Sequence, residues 1–297
     1  MIAIWVISFW ESLGKPKKFN LIELGGGNGE MMNILIESFK NFPEFLKTCK
    51  IMILEKSPLL IRIQKNKLIN KNVVWISNFN RINKTPSLFV ANEFFDAIPI
   101  KQFRKKGYLW FEKFVNFSNP NKAFFFEKEI DIKKIEKKIN FNLSKNQNFI
   151  EYSDLGLNYL KNILKKIKRN SGGLLLIDYG YTSKKMKNTL KAFSNHKFAN
   201  ILDDVGNVDI THNINFDLFK NFVKQAGNLE SSLTSQKKFL TKMGIFDRAE
   251  ILSKNLSFLN KADMYYRLKK LTDEKHMGNL FKVMFIKNEN NKFNLGF

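Results

Sequence analysis

Short apolar runs and helical stripes alternate through the first part of the chain. Phe19–Leu24 reads as a strand and 28–40 as the helix after it. Ile51–Glu55 gives a second strand, and 58–69 a helix with Leu60, Ile63, Gln64 and Lys67 at helical period. Val73–Ile76 and Ser87–Asn92 supply a third and a fourth strand. This alternation is the signature of βα units and a parallel sheet, so the fold class is α/β. It stops at residues 103–130, where dense aromatics surround Lys105-Lys106-Gly107 and Asn119-Pro120 and predict antiparallel hairpin strands. Residues 131–148 are rich in Lys and Asn and read as exposed.

The alternation then resumes. Tyr152–Arg169 carries Leu155, Tyr159, Leu160, Ile163, Leu164 and Ile167 at helical spacing, with Lys165, Lys166, Lys168 and Arg169 suiting its C-terminal dipole. Ser171-Gly172-Gly173 reads as the helix stop, and Leu174–Asp178 as a buried parallel strand. Phe216–Ala226 is a further helix closed by Gly227. Strands near 229–234 and 281–287 flank a helical region from Gln236 to Lys270. The apolar start, Met1 to Trp10, has no basic leader or small-residue cleavage site and runs into Glu11; it reads as a helix packed on a core of a cytoplasmic protein.

Composition narrows the chemistry. The chain has 297 residues, 44% of them apolar, enough for a large core. Cys49 is the single cysteine, and His196, His212 and His276 are the three histidines, so no metal site is expected. No apolar run approaches the roughly 20 residues of a membrane-spanning helix. The net charge of +23 points at first to nucleic acid. Yet 44 of the 50 basic residues are Lys, 36 residues are Asn and only 9 are Ala, a bias that drift toward AT-rich codons produces. The basic residues are spread along the chain without a nucleic-acid motif, so no specific nucleic-acid partner is expected.

The chemistry-bearing segments follow strands. Gly25, Gly26, Gly27 and Gly29 lie between a strand ending in Glu23-Leu24 and a helix opening at Glu30. Dinucleotide sites want G-x-G-x-x-G, and a carboxylate at the helix mouth would repel pyrophosphate. Glu55 closes the second strand, where a carboxylate can accept both ribose hydroxyls. A plain glycine turn with a chance glutamate is the bland alternative. After the fourth strand come Asn92, Glu93 and Asp96, with Pro99 closing the segment. Two carboxylates at a strand's carboxyl end suit a guanidinium, and a solvated Asx-type turn is the alternative.

The segments Glu23–Gly29, Leu54–Pro58, Ala91–Pro99, Ile177–Tyr181 and Asp203–His212 occur in this order, followed by Phe216. Together they resemble the MidA-like class I methyltransferases dependent on S-adenosylmethionine (SAM), a family that includes a mitochondrial protein arginine methyltransferase of respiratory complex I assembly. The resemblance implies a Rossmann-like, mostly parallel sheet with helices on both faces. It implies one methyltransferase domain over 1–297 with substrate-side insertions at about 101–150 and 179–215. SAM is the implied cofactor, held by Glu23, Gly25, Gly26, Gly27, Gly29, Glu55 and Asn92, with Ser57, Asn78 and Phe79 near the ribose and adenine. Glu93 and Asp96 are the implied catalytic residues, and Asp178, Tyr179 and His212 implied substrate contacts. The implied acceptor is a protein arginine, with a complex I subunit as the family's context. A non-catalytic assembly protein and a methyltransferase acting on RNA or a small molecule are the alternatives. Family members carry a further segment before the first strand, and this chain is expected to begin at its last helix. Gly26 stands where the family often has Pro, which should loosen the loop slightly.

Overall fold

The computed structural model describes residues 1–119, 122–194, 197–203 and 206–297. Pro120, His196 and, within the 203–212 motif, Asp204 and Val205 lie outside the described residues. The chain forms two compact units. One contains Met1–Phe94, Asn162–Asp178 and Val223–Phe297; the other contains Phe95–Lys161 and Tyr179–Phe222.

The elements begin with α1 (Ile2–Ser12), β1 (Phe19–Leu24), α2 (Glu30–Phe39), α3 (Pro43–Thr48), β2 (Cys49–Leu54), α4 (Pro58–Lys67), β3 (Val73–Ile76) and β4 (Ser87–Asn92). Next come β5 (Lys101–Lys106), β6 (Leu109–Asn119), β7 (Lys122–Ile130), α5 (Ile132–Ile139), β8 (Phe149–Tyr152), α6 (Asp154–Asn170) and β9 (Gly172–Tyr181). Short strands β10 (Lys191–Ser194), β11 (Lys197–Ala199), β12 (Asp209–Thr211) and β13 (Ile214–Asn215) lead to α7 (Phe216–Ala226). The chain ends with β14 (Leu229–Ser235), α8 (Gln236–Lys242), α9 (Ile245–Ser253), α10 (Phe258–Thr272), α11 (Met277–Leu280) and β15 (Phe281–Asn288).

The first unit is built on a sheet in the order β14-β15-β9-β4-β1-β2-β3. The pairs β1–β2, β1–β4, β2–β3 and β4–β9 are parallel, and β14–β15 is antiparallel. All six residues of β1 are buried, which is why that stretch reads as a nearly unbroken apolar run. Its one uncharged polar residue, Asn20, donates from Nδ2 to Thr85 Oγ1 (2.8 Å) and Ser87 Oγ (3.0 Å), so its burial leaves the amide donors satisfied. Leu24 sits level with Leu54 on one side and Ala91 on the other, and Asn92 with Ile177. The carboxyl ends of β1, β2, β4 and β9 therefore line up. Strand order reverses between β1 and β4, the place where open α/β sheets bind ligands.

The helix α6 ends at Asn170, directly before the expected stop; Ser171 takes the left-handed turn (φ 63°), and Gly172 and Gly173 then open β9. Gly172 pairs with Ser87, and a Cβ there would stand 2.0 Å from the Ser87 carbonyl oxygen. The glycine is a close-approach residue of the sheet. On the same unit, α1 buries Trp5, Val6 and Phe9 completely. Trp5 packs edge-on against Phe285 (4.9 Å between centroids) and Phe293 (5.1 Å), and its indole N–H donates to the Leu295 carbonyl at 2.9 Å.

The second unit contains an antiparallel sheet ordered β7-β6-β5-β8 and a small sheet ordered β11-β10-β12. The first is the hairpin region expected from the aromatics of 103–130. Residues 131–148 are mostly exposed, as read, but they also contain α5, capped by the Asp131 carboxylate accepting from Lys133 N–H and burying Ile132. The segments expected as insertions, 101–150 and 179–215, fall within this unit. No helix among the described residues is long and apolar enough to cross a membrane.

Candidate active site

In the first unit the loop after β1 turns sharply, with Gly25, Gly27 and Gly29 all at positive φ (65°, 50° and 82°). A Cβ on Gly25 would approach the Phe94 ring to 2.8 Å, so the close seating of that ring needs glycine as much as the dihedral does. Gly26 has the ordinary φ sign, and its Cβ would meet Ile53 Cγ2 at 2.9 Å and the Gln64 amide at 3.2 Å. The Gly25 N–H donates to the Leu54 carbonyl (3.0 Å) and the Gly29 N–H to the Gly26 carbonyl (2.7 Å).

Glu23 is 2% exposed, and its Oε2 has no hydrogen-bond partner. Burial, with the like charge of Glu55 second, pushes its carboxyl up to about 8. An uncompensated buried carboxyl is costly unless a cation or donor arrives to meet it. Glu55 is held more firmly. Its Oε1 accepts from the N–H groups of Lys56 (2.8 Å) and Ser57 (3.0 Å), and its Oε2 from Gln64 Nε2 (3.2 Å).

Gln64 is the residue sequence reasoning passed over. It is fully buried on α4 and bonds Gly27 O (2.9 Å), Glu55 Oε2 and, through its own Oε1, Trp75 Nε1 (2.8 Å). One side-chain amide thus ties the glycine loop to the ends of β2 and β3. Its signal was present: a polar residue standing in the inward stripe of a helix.

The remaining residues expected on this side divide in two groups. Ser57 Oγ caps α4 by accepting from Leu60 N–H (3.3 Å), and Asn78 Oδ1 accepts from Asn80 N–H (3.0 Å). Each oxygen thus accepts one bond in a local turn, with a second lone pair on each and the Ser57 O–H donor left over. The Phe79 ring is buried against Phe89 of β4 (6.0 Å) rather than displayed. At the end of β4, Asn92 Nδ2 donates to Glu93 Oε1 (3.4 Å), and the Glu93 N–H reaches the Ile177 carbonyl at 3.0 Å. Glu93 has φ 49°, a left-handed backbone that costs a non-glycine residue about 1–3 kcal/mol and persists at functional sites. Asp178 is fully buried near the end of β9.

Asp96, Tyr179 and His212 belong to the second unit. Asp96 Oδ2 accepts from Thr211 Oγ1 (3.1 Å), and its carbonyl accepts from the His212 N–H (3.3 Å). Asp96 Oδ1 and His212 Nε2 are buried without a hydrogen-bond partner among the described residues. Burial raises the Asp96 carboxyl above its ordinary range, opposed by the Thr211 hydroxyl and by His212. His212 also lines a small cavity of about 20 Å³ with Phe95, Glu151 and Asn215, room for one water. Segments 115 residues apart thus bring Asp96 and Thr211 together, with two unsatisfied buried polar atoms beside the pair.

The first unit's arrangement fits SAM on three observations: an orphaned buried carboxyl beside a cationic ligand's natural seat, a glycine cradle, and a carboxylate fixed at the next strand end. Comparison with known proteins agrees. Residues 1–234 match the family model described as "Putative S-adenosyl-L-methionine-dependent methyltransferase". The protein arginine methyltransferase NDUFAF7, mitochondrial, of Xenopus laevis is 26% identical over 96% of this chain and 71% of its own length. Its human counterpart is 26% identical over 85% of this chain, which spans 62% of that protein. In structure, a COG1565 superfamily member from Burkholderia thailandensis, crystallised with S-adenosyl-homocysteine, superposes with a TM-score of 0.79 at 21% identity, covering 99% of this chain and 77% of the other. That likeness establishes the class I methyltransferase fold. With the family model matched along most of its length, the chain belongs to the MidA-like family of SAM-dependent methyltransferases.

Proposed function

We propose that this methyltransferase transfers the methyl group of SAM to an arginine side chain of a protein. The observation that carries the reading is the alignment of acidic groups at neighbouring strand ends, Glu23, Glu55 and Glu93, in a chain that is otherwise strongly basic. A sulfonium cofactor and a guanidinium acceptor are both cations, and carboxylates are the groups that hold them. The names of the relatives support arginine as the acceptor. By the family's context, the acceptor protein is a subunit of respiratory complex I. Those names carry a mitochondrial location and give the cytoplasmic expectation no support.

Bound SAM supplies an electrophilic methyl group. The chain's own residues do the rest. Gly25, Gly26, Gly27 and Gly29 let the backbone close on the ligand, Glu55 accepts from the ribose hydroxyls, and Asn92 and the carboxyl of Glu23 face the methionine end. Ser57, Asn78 and Phe79 shape the nucleoside end through their turns. Glu93 orients the guanidinium and takes its proton, with Asp96 in support. Asp178, Tyr179 and His212 serve the acceptor. We further propose that 1–297 works as one methyltransferase domain with the 101–150 and 179–215 segments as acceptor-side insertions.

Calorimetric titration with SAM, followed by a methylarginine assay on a complex I subunit preparation, tests the proposal. Binding with methylation that Glu93→Gln abolishes is the expected result. Binding without arginine methylation would turn the reading toward a different acceptor. Absence of binding at near-millimolar SAM would leave only the non-catalytic assembly role.

A further inference from the structure

We propose that the turn between α9 and α10 is a membrane-docking tip that inserts into an anionic lipid surface. Ten successive residues, 254 to 263, are all exposed, spanning the turn and the first six residues of α10. The first turns of a helix normally bury one stripe. Here α10 opens with Phe258 at 84% and Leu259 at 78% exposure, and Leu256, Ile251 and Leu252 are exposed beside them. Such a concentration of bare apolar side chains marks an interaction surface.

The arrangement also says what covers it. Phe258 and Leu259 are adjacent on a helix and point about 100° apart, since 3.6 residues complete a turn. A groove on a protein would take one stripe; an isotropic apolar medium takes all sides. The tip is held in form, because Ser257 Oγ caps α10 by accepting from Asn260 N–H at 3.4 Å. Going up α10, Tyr265 and Tyr266 stand about 11–12 Å from the tip at 1.5 Å per residue. That is just beyond the depth of about 5–10 Å to which interfacial elements bury their apolar parts, which places the tyrosines at the headgroup level.

Charge completes the pattern. Residues 254–270 hold five basic groups and one acidic one, and the acid, Asp263, is already paired with Arg267 at 2.8 Å. Lys254 and Lys261 flank the apolar tip, and Lys270 lies over the Tyr266 ring at 4.6 Å. A basic collar around an apolar point fits anionic headgroups. The chain's net +23 adds a long-range attraction to the same surface.

Flotation of the full-length protein with phosphatidylcholine vesicles, with and without phosphatidylglycerol, tests this. The expected result is flotation on the anionic vesicles, weaker on the neutral ones and weaker at high salt. Phe258→Ser with Leu259→Ser keeps every charge and should cut partitioning about tenfold or more, with thermal unfolding and S-adenosylhomocysteine binding unchanged. Phe258→Trp should show a blue-shifted emission once vesicles are added. Undiminished flotation of the double variant, or an unshifted tryptophan, would overturn the proposal in favour of charge alone. A wild-type protein that does not float would overturn it outright. So would a concentration-dependent dimer that the double substitution abolishes, which would make a second copy the occupant.

Discussion

Glu23 is a carboxyl group buried where its charge is disfavoured. Unfolded, it loses its proton near 4.5, and folded near 8. Between those values the folded chain keeps a proton that the unfolded chain has released, so stability falls as pH rises through this window and levels off above it. Each unit of separation is worth about 1.4 kcal/mol. Glu23→Gln should therefore flatten the slope and stabilise the ligand-free protein at pH 8 by a few kcal/mol, as urea unfolding across that pH range would show. A cation bound beside Glu23 favours the carboxylate, so cofactor binding at pH 7 should release a proton. Titration in two buffers of different ionisation enthalpy would detect that release, and Glu23→Gln should lack it. Glu93 offers a second test at this scale. Its left-handed backbone suits glycine better, so Glu93→Gly should raise stability by about 1 kcal/mol while methyl transfer is lost. Gly25→Ala should do the reverse of a stabilising change. It combines a positive φ with a 2.8 Å approach to Phe94, and SAM affinity should fall at least tenfold in calorimetry.

Elements explain why some of this was readable and some was not. The runs Phe19–Leu24, Val73–Ile76, Ser87–Asn92 and Phe216–Ala226 are strands and a helix with the bounds their apolar pattern predicts. Central strands buried on both faces leave an unbroken apolar signature. The strand-end acids were legible for the same reason, since a charged residue at the close of such a run has few structural uses. The helix stop at Ser171-Gly172-Gly173 was legible, but the second use of Gly172, its close approach to the Ser87 carbonyl in the sheet, depends on a distant strand and was not. The α5 helix was hidden among lysines, its Ile132, Ile135 and Ile139 spaced for burial but outnumbered. The pairing of Asp96 with Thr211 depends on a long-range fold-back that no local pattern carries. Gln64 shows how α4 governs the loop it supports. Gln64→Ala leaves the Gly27 carbonyl, Glu55 Oε2 and the Trp75 N–H short of one partner each. It should cost about 2–4 kcal/mol in unfolding experiments and weaken SAM binding without touching the ligand.

For the whole molecule, the charge reads differently by position than by sum. Most of the +23 is lysine spread over the surface, and like charges on a compact chain repel. Added salt should therefore raise the melting temperature. Binding to RNA should be weak, fall steeply with salt and show no base preference, which filter binding at several salt concentrations would measure. Against that background Glu23, Glu55, Glu93 and Asp178 stand near or just beyond the ends of β1, β2, β4 and β9.

Trp5 and Phe9 of α1 are made long before Phe285 and Phe293, the aromatic rings on which they pack. Trp5 and the carbonyl it reaches at Leu295 are 290 residues apart. At a synthesis rate of about 5–20 residues per second the helix waits on the order of tens of seconds for them. Throughout that time Trp5 and Phe9 lack the rings they lie on, whereas Trp10 meets Phe45 early, so one side of the helix stays open to a chaperone until Phe285 and Phe293 arrive.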